Sequence, residues 1–549
     1  MSMMDPRAQQ PQQRRGAPAQ PSGGGIPFAG MEGLLFELRQ FEGINTRTGR
    51  SSIKDEQYSW LENLMPIAEG NLRSMYSNAA PIYAATGGTQ IVYLKMYNIG
   101  PLQYAGVFLS DGTAFQVATS GAITPISTVP GTFYNGTSPP AVAQWGSSGI
   151  VIVGKPATGN GYWAWDGTLY SPGSASPAWL NGGTPTTMPN GVAGTYVETF
   201  QSRVWICNGT NLLFTAGGNG AQFSAGSGGG VTPATDSFLR VGFTAVKQAN
   251  GYLYLFGDSS INVISNVQTS ASSVTTFNNQ NTDPQVGCPW PATIVQWGRG
   301  LMFANPEGVY LLMGGAVEKI SEDLDGLFLN AVFSPLPTGA VAWIFLMKCY
   351  CFTLRVTDYL GTVRTVICVF TGKAWFIASQ VTQPVYIDQQ EINSVITAWG
   401  TDGFSLFQLF QTPSTALKKT LQGKLWQGDS YLIIKQPLRL YNKGQDFSNN
   451  GYSFAGTLDM QTETGQLTTP ATIASKALPI VWQNNSQQVV TWQNNSSAAV
   501  VFVVSVFTLF GQDQQGVAPL LGLTLVSMSS DFQISAISLL YRKFGPVGG

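Results

Sequence analysis

Two short apolar runs flank a polar turn in Tyr252-Leu-Tyr-Leu-Phe-Gly-Asp-Ser-Ser-Ile-Asn-Val-Ile264. The same pattern recurs in Gly300-Leu-Met-Phe-Ala-Asn-Pro-Glu-Gly-Val-Tyr-Leu-Leu-Met313, and a third run, Val317-Glu-Lys-Ile320, follows it. Runs of β-branched and aromatic residues separated by Asp, Asn, Gly and Pro are typical of antiparallel hairpins. Each copy between Thr244 and Ser321 therefore predicts a small antiparallel sheet.

The same alternation of apolar runs and turns extends in both directions along the chain. Its further runs are Ile91–Leu94, Gly106–Thr113, Ile150–Val153, Tyr162–Thr168, Val204–Thr210, Leu212–Thr215, Cys349–Leu354, Thr365–Phe370, Val395–Trp399 and Phe404–Phe410. About six or seven units of roughly 40 to 60 residues match the period of propeller blades with four strands each. We therefore predict an all-β fold in which residues 85–412 form a β-propeller.

The composition predicts more than one domain and a neutral surface. The chain has 549 residues, more than one core usually organises. Only 10% of them are charged, with 28 basic and 29 acidic residues, so the sequence shows no basic footprint for gripping nucleic acid. Such a surface suits a protein packed against other subunits, and it also occurs in secreted binding proteins.

Histidine is absent from the sequence, which removes the commonest general base and metal ligand. The five cysteines lie in apolar runs, and we expect them to be buried, reduced thiols. From these observations we expect no enzyme activity, no cofactor and no metal. The longest apolar run, Ala498–Phe510, is too short and too β-branched to span a membrane, so we expect no membrane insertion by this chain.

The ends of the chain differ from the central array. Residues 1–27 are rich in Gln, Pro and Gly, which predicts either a disordered tail or an arm that becomes ordered on a neighbouring subunit. Residues 28–84 form an entry segment that we assign to a second, sandwich-like β domain together with residues 413–549. In that C-terminal part Trp482-Gln-Asn-Asn-Ser486 repeats as Trp492-Gln-Asn-Asn-Ser496, which predicts a meander. The two tryptophans suit packing or glycan stacking.

Motifs spread along most of the chain resemble one family. They are Phe41-Glu-Gly-Ile-Asn-Thr-Arg47, Trp60-Leu-Glu-Asn-Leu-Met-Pro66, Gly70-Asn-Leu-Arg73, Phe256-Gly-Asp-Ser-Ser-Ile261, Gly287-Cys-Pro-Trp-Pro291 and the closing Phe532-Gln-Ile-Ser-Ala-Ile-Ser-Leu-Leu-Tyr-Arg542. In this order they are similar to the tail nozzle family of short-tailed bacteriophages, also called tail tubular protein B, or tail hub or stabilisation protein. The long Gln- and Asn-rich C-terminal part and the near-neutral charge depart from that family.

The resemblance implies a structural virion protein located in the phage tail and assembled in the host cytoplasm. Six copies would form a ring below the head-to-tail adaptor, near tail fibres or tailspikes. The ring would retain the genome and let double-stranded DNA pass without binding it specifically. The resemblance also leads us to expect that the closing strand pairs with the N-terminal segment, so that the propeller is an insertion. Candidate assembly contacts are Arg7, Arg14, Arg15, Arg47, Trp60 and Arg73.

An alternative function is a propeller that binds or degrades cell-surface glycans. Ser110-Asp-Gly-Thr113 and Trp165-Asp-Gly-Thr168 resemble fragments of sialidase Asp-box turns, but their spacing differs, and hairpin geometry is enough to explain them. The densest acidic cluster comprises Glu318, Glu322, Asp323 and Asp325. Paired carboxylates can cleave a glycosidic bond without histidine. Four carboxylates within eight residues, however, are more typical of a solvated turn than of two walls of a cleft.

If residues 1–25 are an assembly arm, deleting them should leave the melting temperature of the isolated subunit nearly unchanged, because such a segment buries little surface within the subunit. The same deletion should weaken incorporation of the subunit into tails. Calorimetry and tail assembly by the truncated protein measure the two effects. Normal tail assembly by the truncated protein would indicate that residues 1–25 are only a linker.

Overall fold

The structure is a computed structural model, and it describes residues 34–546 apart from several internal gaps. The gaps are residues 68–69, 155–160, 234–238, 240–241, 393–394, 427–432, 449–452, 462–466, 477–481, 484–488, 491, 494–498 and 508–519. The chain is almost entirely β-structure. In the described part, the helical segments are Ala178–Asn181, Asp325–Leu329 and the 3-10 turns Ala225–Ser227, Pro291–Thr293 and Glu322–Leu324.

In the described part of the chain, seven antiparallel blades of four strands each form a β-propeller: six are separate sheets, and one is the end of a ten-stranded sheet. This confirms the predicted fold class and fixes the number of blades at seven. The strands of blades one to three are Ile91–Ile99, Leu102–Leu109, Ala114–Ala118, Ile123–Ser127; Ala141–Trp145, Gly149–Gly154, Gly161–Trp165, Leu169–Tyr170; and Tyr196–Phe200, Arg203–Asn208, Asn211–Phe214, Gly230–Pro233. Those of blades four and five are Ala245–Ala249, Tyr252–Phe256, Ile261–Thr269, Thr275–Asp283; and Val295–Trp297, Gly300–Asn305, Gly308–Met313, Ala316–Lys319.

Blades six and seven complete the ring. Blade six contains Gly339–Ile344, Met347–Thr357, Val363–Phe370 and Trp375–Ala378, and blade seven contains Tyr386–Ile392, Val395–Thr401 and Ser405–Gln408. The fourth strand of blade seven is Tyr83–Ala84, which precedes blade one in sequence and pairs with Ser405 and Leu406. The ring is therefore closed by hydrogen bonds between the two ends of the propeller chain.

Turn chemistry explains why these runs fold as hairpins. Blade four begins with Ala245–Ala249 and Tyr252–Phe256, joined by Asn250-Gly251, whose φ angles are 48° and 79°. Positive φ at both central residues is the type I′ geometry that matches strand twist, and Asn-Gly adopts it with little strain. The neighbouring blades pack through large side chains, for example Phe256 of blade four against Phe303 of blade five, with 5.4 Å between ring centroids.

A second set of β-strands is assembled from both ends of the chain. One sheet continues outward from blade six through Gln57–Glu62, Lys419–Trp426, Leu520–Ser527, Ser453–Gln461 and Leu467–Lys476, with Gly43–Ile44 beside Gln57–Glu62. The other sheet contains Leu64–Ile67, Asn71–Ser74, Phe532–Pro546, Ile433–Asp446, Ala499–Phe507 and Trp492–Gln493, with Leu34–Leu38 beside Phe532–Pro546. The propeller is thus an insertion in this β domain.

The closing strand does pair with the N-terminal segment. Leu34–Leu38 runs antiparallel to residues 537–541, and Arg73 lies opposite Gln533. The repeated Trp-Gln-Asn-Asn-Ser segments precede the closing strand. There Trp482–Gln483 pairs with Val489–Val490, and Trp492–Gln493 pairs with the start of Ala499–Phe507. The turns of this meander, and residues 1–33 with Arg7, Arg14 and Arg15, lie outside the described residues. The domain boundaries drawn from the sequence stay a prediction.

All five cysteines are free and buried, as expected from their apolar surroundings. Burial raises the pKa of the Cys288 and Cys349 thiols to about 12. In the part of the chain that the structure describes, no helix is long and apolar enough to cross a membrane.

The strand pairing that closes blade seven contains a position at which a substitution should strongly lower stability. Leu406 is fully buried and lies opposite Tyr83 in the seam that closes the ring. Leu406→Ala should lower the free energy of unfolding by about 2–5 kcal/mol, because it leaves a cavity in that seam. Leu360→Ala, at a position that is 67% exposed, should change it by less than about 0.5 kcal/mol. Urea unfolding of both variants measures the difference, and equal effects would contradict the assigned closure.

Candidate functional site

Two ion pairs join the innermost strands of neighbouring blades. Lys95 of blade one pairs with Asp388 of blade seven, with 3.2 Å between Nζ and Oδ2. Lys247 of blade four pairs with Glu198 of blade three, with 3.1 Å between Nζ and Oε2. These residues lie on the innermost strands of their blades, which contact one another around the ring. With Tyr93 they form the axial cluster.

Tyr93 lies on the same strand as Lys95, two residues before it. Burial raises the pKa of its hydroxyl, the nearby Asp388 and Glu198 raise it further, and Lys247 lowers it. Charges of blades three, four and seven thus act on one tyrosine of blade one. The axial cluster comprises two carboxylates, two ammonium groups and a phenol on the innermost strands of four blades. Such an arrangement can bind a polar ligand through hydrogen bonds, and it can equally tie the blades together.

Hydrogen bonds between innermost strands extend the axial cluster across the blade seams. The backbone N–H of Met96 donates to Asp388 Oδ2 at 2.6 Å, and Gln390 Nε2 donates to Asn98 Oδ1 at 2.8 Å. Gln144 bonds both to the N–H and to the carbonyl of Asn98. Blades seven, one and two are therefore joined by polar groups that are satisfied within the subunit.

The propeller meets the β domain at a buried ionic contact, which we call the blade-six joint: Trp60, Glu62, Asp358 and Arg364. The Arg364 guanidinium donates to both Glu62 oxygens, at 2.9 and 2.6 Å, and its Nε donates to Asp358 at 2.8 Å. Trp60 Nε1 donates to Glu62 at 2.8 Å, and Arg364 lies over the Trp60 ring. Because the Glu62 side chain is only 4% exposed, its charge depends on these donors.

A second contact, the terminal clasp, joins the tip of a blade-six hairpin to the chain ends. Its residues are Arg73, Tyr76, Phe345, Phe447 and Asp531. Arg73 pairs with Asp531 at 2.6 Å, and its guanidinium lies 3.6 Å from the Phe447 ring centroid. Tyr76 donates to Asp531 and packs edge-on against Phe345. The clasp therefore connects the entry segment, the start of the closing strand and blade six.

The hairpin tip that reaches the clasp has a strained backbone. Phe345 and Leu346 have φ angles of 48° and 65°, a region that bulky residues rarely adopt. The Phe345 ring is held by Tyr76, with 4.9 Å between centroids, and by Arg73 at 5.1 Å. Contacts with the entry segment thus offset the strain of a turn that lacks glycine and asparagine.

The structure gives the sequence-predicted contact residues different surroundings. Trp60 is buried in the blade-six joint and Arg73 in the terminal clasp, so both contact partners in their own chain. Arg47 remains exposed and pairs with Glu322 at 2.7 Å. Of these three side chains, Arg47 keeps the surface that a contact with a neighbouring subunit needs. Their role in assembly stays a prediction.

The candidate acidic cluster lies where the entry segment contacts the propeller. Glu322 bonds Arg47 and Asp325 bonds Lys319, while the carbonyl of Asp323 accepts from the N–H of Thr46. Burial raises the pKa of Asp323. The Asp-Gly turns likewise stabilise hairpins: Asp111 accepts from the N–H and hydroxyl of Thr113, and Asp166 accepts from the N–H of Thr168. Among the described residues no group of three or more His, Cys, Asp or Glu could hold a metal ion.

Sequence reasoning missed the axial cluster. Its residues are separated by up to about three hundred positions and share no motif. The available signal was weaker: Lys95, Glu198, Lys247 and Asp388 are charged residues within the first strand of their repeat unit, in a sequence with few charges.

Comparison with known proteins gives the fold and little else. No family model matches the chain, and no curated protein matches it. Matching solved structures include BBS1N in complex with ARL6DN (9% identity, TM-score 0.37) and YCF48 bound to D1 peptide (10%, 0.36), each covering 62% of this chain and 98% of the other. Trypanosoma rangeli sialidase in complex with sialic acid matches at 8% identity and TM-score 0.27, covering 84% of this chain and 96% of the sialidase. The class that these observations define is the β-propeller.

One expectation from the sequence has to be corrected. We expected no enzyme activity, but the matching chains also include a protein described as a glycoside hydrolase, at 9% identity and TM-score 0.24, beside the sialidase. Chains of this fold therefore include enzymes, and the exclusion was wrong. None of the structures named here is a phage tail protein.

A buried lysine near the terminal clasp, Lys419, predicts that the stability of the fold depends on pH. Lys419 is fully buried and donates to the carbonyls of Ser414 and Ser529 at 2.7 and 2.6 Å. Burial lowers the pKa of Lys419 to about 8 from the usual 10.5. Between these values the unfolded chain binds more protons than the folded one, so stability should rise with pH.

From pH 8 to 9.5 the gain should be about 1.5 kcal/mol in the free energy of unfolding. Lys419→Met should abolish this slope, because no titratable amine remains at the position. Lys418→Met, one residue earlier and exposed, should keep the wild-type slope. Chemical denaturation at several pH values measures it, and a flat wild-type profile would contradict the burial effect.

Proposed function

We propose that the chain is a structural subunit of a phage tail, a nozzle that forms a ring around the path of the DNA. The observation that carries the proposal is the continuous sheet from blade six into a β domain built from both chain ends. A subunit under pressure from a packaged genome needs its parts joined without a flexible linker. The blade-six joint, the terminal clasp and the polar contacts across the axial seams supply such connections.

The order of the sequence motifs supports the same function. Gly43–Arg47, Trp60–Pro66 and Gly70–Arg73 belong to the segment that contacts the propeller, and the closing motif pairs with Leu34–Leu38. Three of the motifs that resemble the nozzle family therefore lie in the segment that joins the two parts of the subunit.

The near-neutral charge suits a path that does not retain DNA. Each phosphate held by a Lys or Arg adds salt-dependent affinity, and several per subunit around a ring would trap the duplex. The chain has 28 basic and 29 acidic residues. Many of the described Lys and Arg side chains already form ion pairs within the subunit, so few remain to bind phosphate.

A reconstruction of the particle should contain six copies of the chain in one ring, with contacts rich in Gln, Asn, Ser and aromatic residues. The purified subunit should show no measurable duplex binding at physiological salt, because its 28 basic residues are balanced by 29 acidic residues. A ring of any other number would contradict the assembly. Sub-micromolar, salt-sensitive DNA binding would contradict the passive conduit.

A second candidate function is glycan binding or cleavage at the axial cluster. The observation that favours it is the position of Asp388 and Glu198 on the innermost strands of separate blades, where each pairs with a lysine. Two carboxylates and a phenol from different elements are groups that can bind and transform a sugar. A glycan array probed with the wild type and with Asp388→Asn and Glu198→Gln tests this function. Binding that both substitutions abolish would support it, whereas no binding by the wild type would contradict it.

A further inference from the structure

The outer edges of the blades differ in length. Blades two and seven end in strands of two residues, Leu169–Tyr170 and Tyr83–Ala84. The outer strand of blade six is covered, because Glu62 pairs with Ile377 and continues the sheet. Short or covered edges offer little backbone for another strand to join.

Three further edges carry residues that discourage strand addition. The outer strand of blade one, Ile123–Ser127, contains Pro125 at a shift of register, and that of blade three ends at Pro233. The four-residue outer strand of blade five includes Glu318 and Lys319. Proline cannot donate a ladder hydrogen bond, and charges disfavour stacking of neutral strands.

Blade four is different. Its outer strand, Thr275–Asp283, has nine residues, contains no proline and has no charge before Asp283. The side chains of Thr276, Asn278 and Gln280 are exposed. Within the described residues the strand pairs with Ile261–Thr269 on one side and with no strand on the other.

This edge is held firmly in place. Phe277 packs edge-on against Trp205 and Phe214 of blade three, with 5.5 and 5.7 Å between ring centroids. Amide side chains also link the strand to its neighbour: Asn262 donates to Asn279 at 3.2 Å, and Asn281 donates to Asn262 at 2.9 Å. An ordered backbone edge with an amide ladder beside it is a template for a further strand of the same kind.

We propose that the outer edge of blade four pairs, antiparallel, with the same edge of a second copy of this chain. The strand pairing shifts register twice: one shift lies between Asn281 and Asp283, and the other, opposite Thr276–Asn278, adds its extra residue to Ile261–Thr269. Residues 275–281 themselves therefore contain no inserted residue. If the two-fold axis passes at Asn278, Thr276 lies opposite Gln280, and Phe277 lies opposite Asn279. No charge meets a like charge in this register, alternate pairs can form backbone hydrogen bonds, and Thr276 and Gln280 can contact each other through their hydroxyl and amide groups.

The pairing is distinct from the proposed tail ring. Subunits of a cyclic ring meet head to tail, whereas a two-fold contact uses the same patch on both partners. The paired form therefore concerns the subunit in solution. Its absence would leave the ring untouched, and a ring of another number would leave the pairing untouched.

Sedimentation of the full chain over a range of concentrations up to about 100 µM tests the pairing, since a specific dimer dissociates on dilution. We expect a concentration-dependent dimer for the wild type and a monomer for the double variant Asn278→Lys, Gln280→Lys. Thr124→Lys adds a lysine to an exposed position on the outer strand of blade one and should leave the dimer unchanged. Melting temperatures close to that of the wild type establish that all variants fold.

Cross-linking tests the register. The five native thiols are buried, so Asn278→Cys supplies a single accessible thiol that would face its copy across the two-fold axis. A short bis-maleimide should give a covalent dimer of this variant and little of a Thr124→Cys variant. A wild type that is monomeric throughout, association that persists in the lysine double variant, or equal cross-linking of the two cysteine variants would overturn the proposal.

Discussion

The contact between Arg364 and Glu62 holds the architecture together. Glu62 is the last residue of a strand that extends blade six, and Arg364 is the residue of that blade which reaches both of its oxygens. A buried carboxylate without its cation is strongly destabilising, since the charge has lost water and gained nothing in return. We therefore expect loss of this pair to weaken the edge through which blade six continues into the β domain.

Several other features depend on that shared edge. The entry segment turns at Asn63, whose side chain bonds Ser379 after the outer strand of blade six, and then reaches the terminal clasp. There Arg73 and Tyr76 contact Asp531, which directly precedes the closing strand Phe532–Pro546, and Tyr76 also packs against the strained Phe345 turn. Two polar contacts, one at each end of blade six, thus fix the propeller relative to both chain ends, which is the rigidity that the proposed conduit requires.

The blades could be predicted from the sequence because each one is local: Tyr252–Phe256 and Ile261–Thr269 are neighbours in sequence and in space. The closing strand of the ring could not, because Tyr83–Ala84 is only two residues long and pairs with Leu406, more than three hundred positions away. The turn at Phe345-Leu346 also carries no local signal, because tertiary contacts override the usual demand for Asn-Gly. The axial cluster depends on the order of the blades around the ring, which periodicity does not specify.

Hydrogen exchange in an Arg364→Met variant tests the role of the blade-six joint most directly. Exchange should become roughly tenfold faster or more in three strands, because loss of the pair opens the shared edge: Gln57–Glu62, Trp375–Ala378 and Lys419–Trp426. Arg355→Met, in the same blade but exposed and bonded only to the Ser334 carbonyl among the described residues, should leave these strands as in the wild type. Faster exchange confined to blade six, with Lys419–Trp426 unchanged, would contradict the account.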